Sequence, residues 1–149
     1  MAIKQSPWAL FKQTAARPLT SGAVTKQEFY YDASAGLLAA DIVDLGVLPA
    51  NAKIHDAYLY ADASIGTVNA TVGIMSGELG STDSSRTLGS EIFNGSAITN
   101  AHTALVRLTS PAATKLAAGV SDRSIGLQVS ADVAAGAGKI IRLVVEYTL

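Results

Sequence analysis

The chain has 149 residues, no cysteine and a formal net charge of −1. That length fits one domain with a real hydrophobic core. The missing thiols exclude disulfides and thiolate metal sites, and the near-neutral balance argues against a general nucleic-acid binder.

Residues 1–23 differ from the remainder of the chain and are expected to form an extended N-terminal arm. They carry Lys4, Lys12 and Arg17, no acidic residue, and the only tryptophan, Trp8, beside Leu10 and Phe11. Pro7 and Lys12 interrupt the stretch before an apolar core develops, so it is not patterned as a signal peptide. Neither a period of two nor a helical stripe persists. A solvated tail ordinarily avoids large apolar side chains, and Trp and Arg are enriched at interface hot spots. Trp8, Leu10, Phe11, Lys12 and Arg17 are therefore the candidate partner-binding residues. The alternative is that Trp8 and Phe11 fold back and cap their own domain. Residues 24–149 hold eight basic and twelve acidic residues, a net of −4, so a basic arm could meet an acidic groove on a neighbour.

From residue 24 onward the dominant period is two, the signature of half-buried antiparallel strands. Strands are predicted in chain order over Thr25–Tyr31, Ala39–Leu45, Lys53–Ala61, Val68–Met75, Arg86–Phe93, Thr103–Thr109, Ser124–Ser130 and Lys139–Thr148. In the last, Ile141, Leu143, Val145 and Tyr147 share one face. About eight short strands separated by Gly, Asp, Asn and Ser indicate an all-β, antiparallel sandwich, jelly-roll-like, over 24–149. One helical turn is predicted over Pro111–Ala118, with Ser110 as N-cap and Gly119 as C-cap.

The repeated pentapeptides Asp32–Gly36 (DASAG) and Asp62–Gly66 (DASIG) read as turns. A carboxylate bonds the backbone two residues on, and glycine takes the positive φ. Each offers one carboxylate, too few for calcium, which takes six to eight oxygens. Ser76–Ser90 reads as a solvated connection or an interaction loop.

Gly136-Ala137-Gly138-Lys139 invites comparison with a phosphate-binding loop. The required first glycine is Val133 and the required hydroxyl is Ile140, and the next element is a strand, not a helix. The segment is expected to be a hairpin turn between the last two strands. His55 and His102 lack a third ligand at suitable spacing, no G-x-S-x-G elbow exists, and the carboxylates are scattered singles. No catalytic, cofactor-binding or metal residue is assigned, and an enzyme is not expected. No apolar run reaches the roughly 18 residues that suggest a membrane helix, so no membrane partner is expected.

Val43–Asp62 (VDLGVLPANAKIHDAYLYAD), with Val72–Gly80, Arg86–Phe93 and Asp122–Tyr147, resembles small virion proteins of tailed bacteriophages, in particular capsid decoration (cement) proteins. In this motif Gly46 and Pro49 are expected to end one strand before Ile54 begins the next. The resemblance implies a structural protein of the virion's outer capsid surface, with the major capsid protein as partner. It also implies a homo-oligomer, most simply a trimer on a symmetry axis. The alternative is a carbohydrate- or receptor-binding module of a tail, fibre or neck, for which Tyr30, Tyr31, Tyr58 and Tyr60 would supply aromatics.

Overall fold

The structure, a computed structural model, describes residues 1–20, 22–98 and 105–149. Among them lie nine strands and one helical turn: β1 (Ile3–Gln5), β2 (Thr25–Asp32), β3 (Ile42–Leu48), β4 (Lys53–Ala61), β5 (Val68–Ile74), β6 (Phe93–Ile98), β7 (Val106–Arg107), α1 (Ala112–Lys115), β8 (Arg123–Val129) and β9 (Ile140–Thr148). They form a β-sandwich. One sheet has the order β1-β3-β8-β5-β6 and the other β2-β9-β4-β7. Every pairing is antiparallel except β1 with β3. The chain passes repeatedly from one sheet to the other, so the core is enclosed by residues distant in sequence.

Alternation places that core. Ile141, Leu143, Val145 and Tyr147 of β9 face Leu127 and Val129 of β8, Phe29 of β2 and Leu59 of β4, all essentially inaccessible. Burying side chains of this size is worth about 1.5–3 kcal/mol each. Arg142, Glu146 and Thr148 point outward, the phase expected for this strand.

Several local expectations need correction. β8 and β9 lie in different sheets, so Gly136–Lys139 is a turn within a crossover, not a hairpin. Gly138 takes φ +73° there, and Lys139 Nζ donates to the Ala134 carbonyl at 2.7 Å. β3 runs through Gly46 instead of stopping before it, because the Phe29 ring occupies the space of a Cβ, which would lie 2.5 Å from it. A bulge between Asp44 and Gly46 absorbs the irregularity. The predicted strand Arg86–Phe93 is displaced to Phe93–Ile98, leaving only a bridge between Met75 and Leu88. The helical turn is shorter than predicted, ending at Leu116, which is extended, not at Gly119. Ser110 Oγ does accept from the Ala112 N–H, at 3.2 Å. Of the expected strand Thr103–Thr109, residues 103 and 104 lie outside the described residues, as does His102.

The two pentapeptide turns share a shape and differ in use. In the first, Ser34 N–H donates to Asp32 at 2.9 Å and Gly36 sits at φ +91°. That hydrogen bonding with Ser34 holds the Asp32 carboxyl below its usual range. In the second, Gly66 sits at φ +89°, while Asp62 accepts a forked pair of bonds from Arg142.

Candidate functional site

Three surface features carry whatever recognition this fold performs: the N-terminal segment, the segment lying over the five-stranded sheet, and the outer face of the four-stranded sheet.

The N-terminal segment is integrated into the sandwich. β1 adds to β3 in register Ile3 with Ile42, although a three-residue strand leaves no visible alternation. Trp8 is 4% exposed. Its ring meets Phe29 edge-on at 5.1 Å and Tyr30 at 5.3 Å, so it closes the edge of the sandwich beside β2. Further on, Ala16 is held from two sides. Its N–H donates to Gln27 at 2.9 Å, and its carbonyl accepts from the Tyr147 hydroxyl.

The five sequence-selected residues therefore separate. Trp8 is packed inside its own domain. Arg17 pairs with Asp122 at 2.5 Å. Leu10 and Phe11 are exposed, Phe11 at 69%. Lys12 is exposed next to them, without an ion pair among the described residues. Phe11 has φ +56°, the left-handed region that costs an L-residue roughly 1–2 kcal/mol. Its ring lies against Gly80, where an added Cβ would stand 2.7 Å from the ring and 2.8 Å from the Ala9 carbonyl. Gly80, at φ +73°, thus makes the perch for Phe11. Below it a cavity of about 110 Å³ is bounded by Trp8, Val47, Leu79 and the Arg17–Asp122 pair.

Residues 76–90 are neither a free connection nor an open loop. They cover the outer face of the five-stranded sheet and bury Arg86, 3% exposed. Arg86 pairs with Asp44 of β3 at 2.7 Å and donates to the carbonyls of Ser76 and Ser81. Ser124 donates to the same Asp44 oxygen at 3.1 Å. Burial pushes the Asp44 carboxyl above its usual range, and Arg86 only partly opposes this. Met75 and Leu88 pack over Gly126 and, with Ile3 and Ile42, form a small second core. Gln5 Nε2 donates to the Gly80 carbonyl at 2.6 Å, tying the N-terminal strand to this cover.

The outer face of the four-stranded sheet is a lattice of charges and tyrosines. Arg142 bonds Asp62 and also Glu28, at 2.6 Å. These carboxylates raise its already high pKa against the cost of burial. Arg107 bonds Asp56 at 2.5 Å. Burial alone would raise the Asp56 carboxyl, but the hydrogen bonds from Arg107 and the Ala57 N–H outweigh it and hold the group below the usual carboxylate range. Tyr60 donates to Glu28 at 2.9 Å and Tyr58 to Glu146 at 3.3 Å. The Lys26 ammonium and the Arg107 guanidinium both lie over the Tyr58 ring, at 5.1 and 5.2 Å. A groove of about 390 Å³ opens between Lys26, Glu28, Tyr58, Tyr60, Leu105 and Val144. His55, at the end of this sheet, is hydrogen-bonded to Thr148 at 3.0 Å. Among the described residues no cluster of metal-ligating side chains occurs.

A rigid sandwich that perches an exposed aromatic on a strained backbone, beside a lysine with no ion pair among the described residues, is a scaffold built for assembly. Comparison with known proteins gives that class its setting. The chain is 35% identical to a chain of the solved capsid of Ralstonia phage GP4, over 99% of this chain and 97% of that one, with a TM-score of 0.89. The chain belongs to the family of that capsid component and is a phage virion structural protein. The same fold recurs in a chain of the cyanophage Pam1 capsid asymmetric unit (18% identity, 93% and 95% covered, TM-score 0.55). It recurs again in the acid-stable capsid of Helicobacter pylori bacteriophage KHP30 (14% identity, 87% and 90% covered, TM-score 0.53). No protein-family model and no curated protein matches the chain.

Proposed function

We propose that this virion protein is a decoration, or cement, protein: it binds the assembled capsid from outside and stabilises it, with the major capsid protein as its partner. The observation that carries this reading is the end-to-end match, at 35% identity, to a component of the Ralstonia phage GP4 capsid. A small closed sandwich with no large domain to spare suits an accessory role in a shell. The exposed Leu10, Phe11 and Lys12 supply an anchor for a neighbouring subunit. The mechanism is linkage: a protein that binds the assembled shell and not its free subunits stabilises the shell by RT ln(1 + [L]/Kd), about 2.7 kcal/mol at a hundredfold excess over Kd. The tyrosine face favours a protein neighbour over a sugar. A sugar-stacking platform must leave a ring face open, and cations already lie over Tyr58.

The test adds purified protein to shells assembled without it. Co-sedimentation at saturable stoichiometry, with a raised melting temperature of the shell, is the expected result. A protein that stays in the supernatant, or that binds without changing shell stability, overturns the reading.

A further inference from the structure

The virion role leaves the tyrosine groove unexplained, and leaves open which neighbour receives Phe11. We infer that the neighbour is a second copy of this chain: Phe11 and Lys12 of one copy dock into the groove of the next. The inference rests on the assembly role proposed above and specifies the surface through which copies meet.

Three observations support it. The first is position. Phe11 stands against Gly80, in the segment that covers the five-stranded sheet, whereas the groove lies on the outer face of the four-stranded sheet. Knob and groove belong to different sides of one sandwich, so a contact between them runs between copies, head to tail. Such contacts close into rings when the rotation allows, which is the geometry a symmetric oligomer on a shell requires.

The second is chemistry. The groove has an apolar floor and lip, Val144 and Leu105, with Leu105 56% exposed. Its walls are the rings of Tyr58 and Tyr60, complementary to a phenylalanine ring. Leu105 and Phe11 are both large apolar side chains left facing water, and each would cover the other's kind.

The third is charge. On this sheet face Glu28, Asp56, Asp62 and Glu146 outnumber Lys26, Arg107 and Arg142 by one. Lys12 is the cation of the N-terminal segment that has no ion pair among the described residues, unlike Lys4 with Asp41 and Arg17 with Asp122. A phenylalanine followed by a lysine thus meets an apolar slot rimmed with excess carboxylate. The strained φ of Phe11 fits a ring held outward for a partner.

The chain has no cysteine, so disulfide trapping is clean. Single variants Phe11→Cys and Leu105→Cys are purified, mixed and oxidised in solution without shells, and a Phe11→Cys plus Val120→Cys mixture serves as the collision control. Both docking positions are exposed, so the fold is retained, which circular dichroism verifies. The expected result is a mixed Phe11→Cys/Leu105→Cys dimer forming roughly tenfold or more above the control, the advantage of a docked pair over free encounter. Adding Lys12→Glu to the Phe11→Cys partner should slow the link. A mixed dimer no more abundant than the control, or Phe11→Cys homodimers outrunning it, overturns the inference. Because no shell is present, this result is independent of whether the protein decorates one.

Discussion

Asp44 and Arg86 show how one buried pair organises a surface. Arg86 is the clasp that holds residues 76–90 over the sheet, and its charge is compensated by a carboxylate that is itself fully inaccessible. Removing one member of such a pair strands the other. Arg86→Ala is expected to cost about 3–5 kcal/mol in urea melts. The pair also gives stability a pH dependence of definite sign. Burial raises the folded-state pKa of Asp44 above the ordinary 3.8. Just above that value the folded chain holds a proton that the unfolded chain releases, so this group's contribution falls as pH rises through the window. Replacing Asp44 by Asn should remove that slope, which begins above about pH 4. An unchanged slope would mean that Asp44 is ionised throughout.

Phe11 makes the opposite case, a residue that stability does not explain. Its backbone is in the left-handed region while its ring is largely in water. Asn tolerates that backbone better than Phe. Phe11→Asn should therefore melt no earlier than the parent, with a gain of up to about 1 kcal/mol. The same variant should bind shells more weakly. A clear loss of thermal stability would show that the ring is part of the core instead.

At the scale of elements, the strands with clean alternation set the core. Leu127 and Leu143 are inaccessible on the inner faces of β8 and β9. Each Leu→Ala change should cost about 2–5 kcal/mol. Gln128 points the other way and gives one hydrogen bond, to the Ala39 carbonyl at 3.0 Å. Gln128→Ala should cost only about 0.5–1.5 kcal/mol. The reverse ranking in chemical denaturation would mean that the strand phase is wrong.

These elements are legible in the sequence because each is buried on one face, so polarity alternates. β3 is harder to place because both its faces are covered, the outer one by residues 76–90, and its bulge at Asp44–Gly46 breaks the period. β6 is an edge strand whose Asn94 and Gly95 are exposed, so its composition resembles a loop. The N-terminal strand is invisible in the pattern because three residues hold too little of it. Of the candidate site, Phe11 and Lys12 stand out because large apolar residues beside lysine, in a segment without acidic residues, are unusual in composition alone. The perch on Gly80 and the groove at Val144 join residues far apart in the chain and cannot be read from it.

At the scale of the whole molecule, the N-terminal segment is both structure and surface. Trp8 fills the edge of the sandwich against Phe29 and Tyr30, while Leu10, Phe11 and Lys12 are exposed. Deleting residues 1–21 removes β1 and Trp8 together, and a buried Trp→Ala change alone costs about 3–5 kcal/mol. The truncated chain should accordingly melt well below the parent by circular dichroism. Loss of shell binding by that truncation would not separate fold from contact, whereas Phe11→Asn and Lys12→Glu would. A truncated chain as stable as the parent would show that the segment contributes nothing to the fold.

The central claim is that this family member sits on the finished shell and not within its continuous wall. A cryo-EM reconstruction of the virion that carries it tests that most directly. The expected map shows β-sandwich density outside the capsid floor, in symmetric groups, with Phe11 of each copy at the tyrosine face of the next. Density for this chain in the floor itself, on the inner surface, or confined to the neck or tail would contradict it.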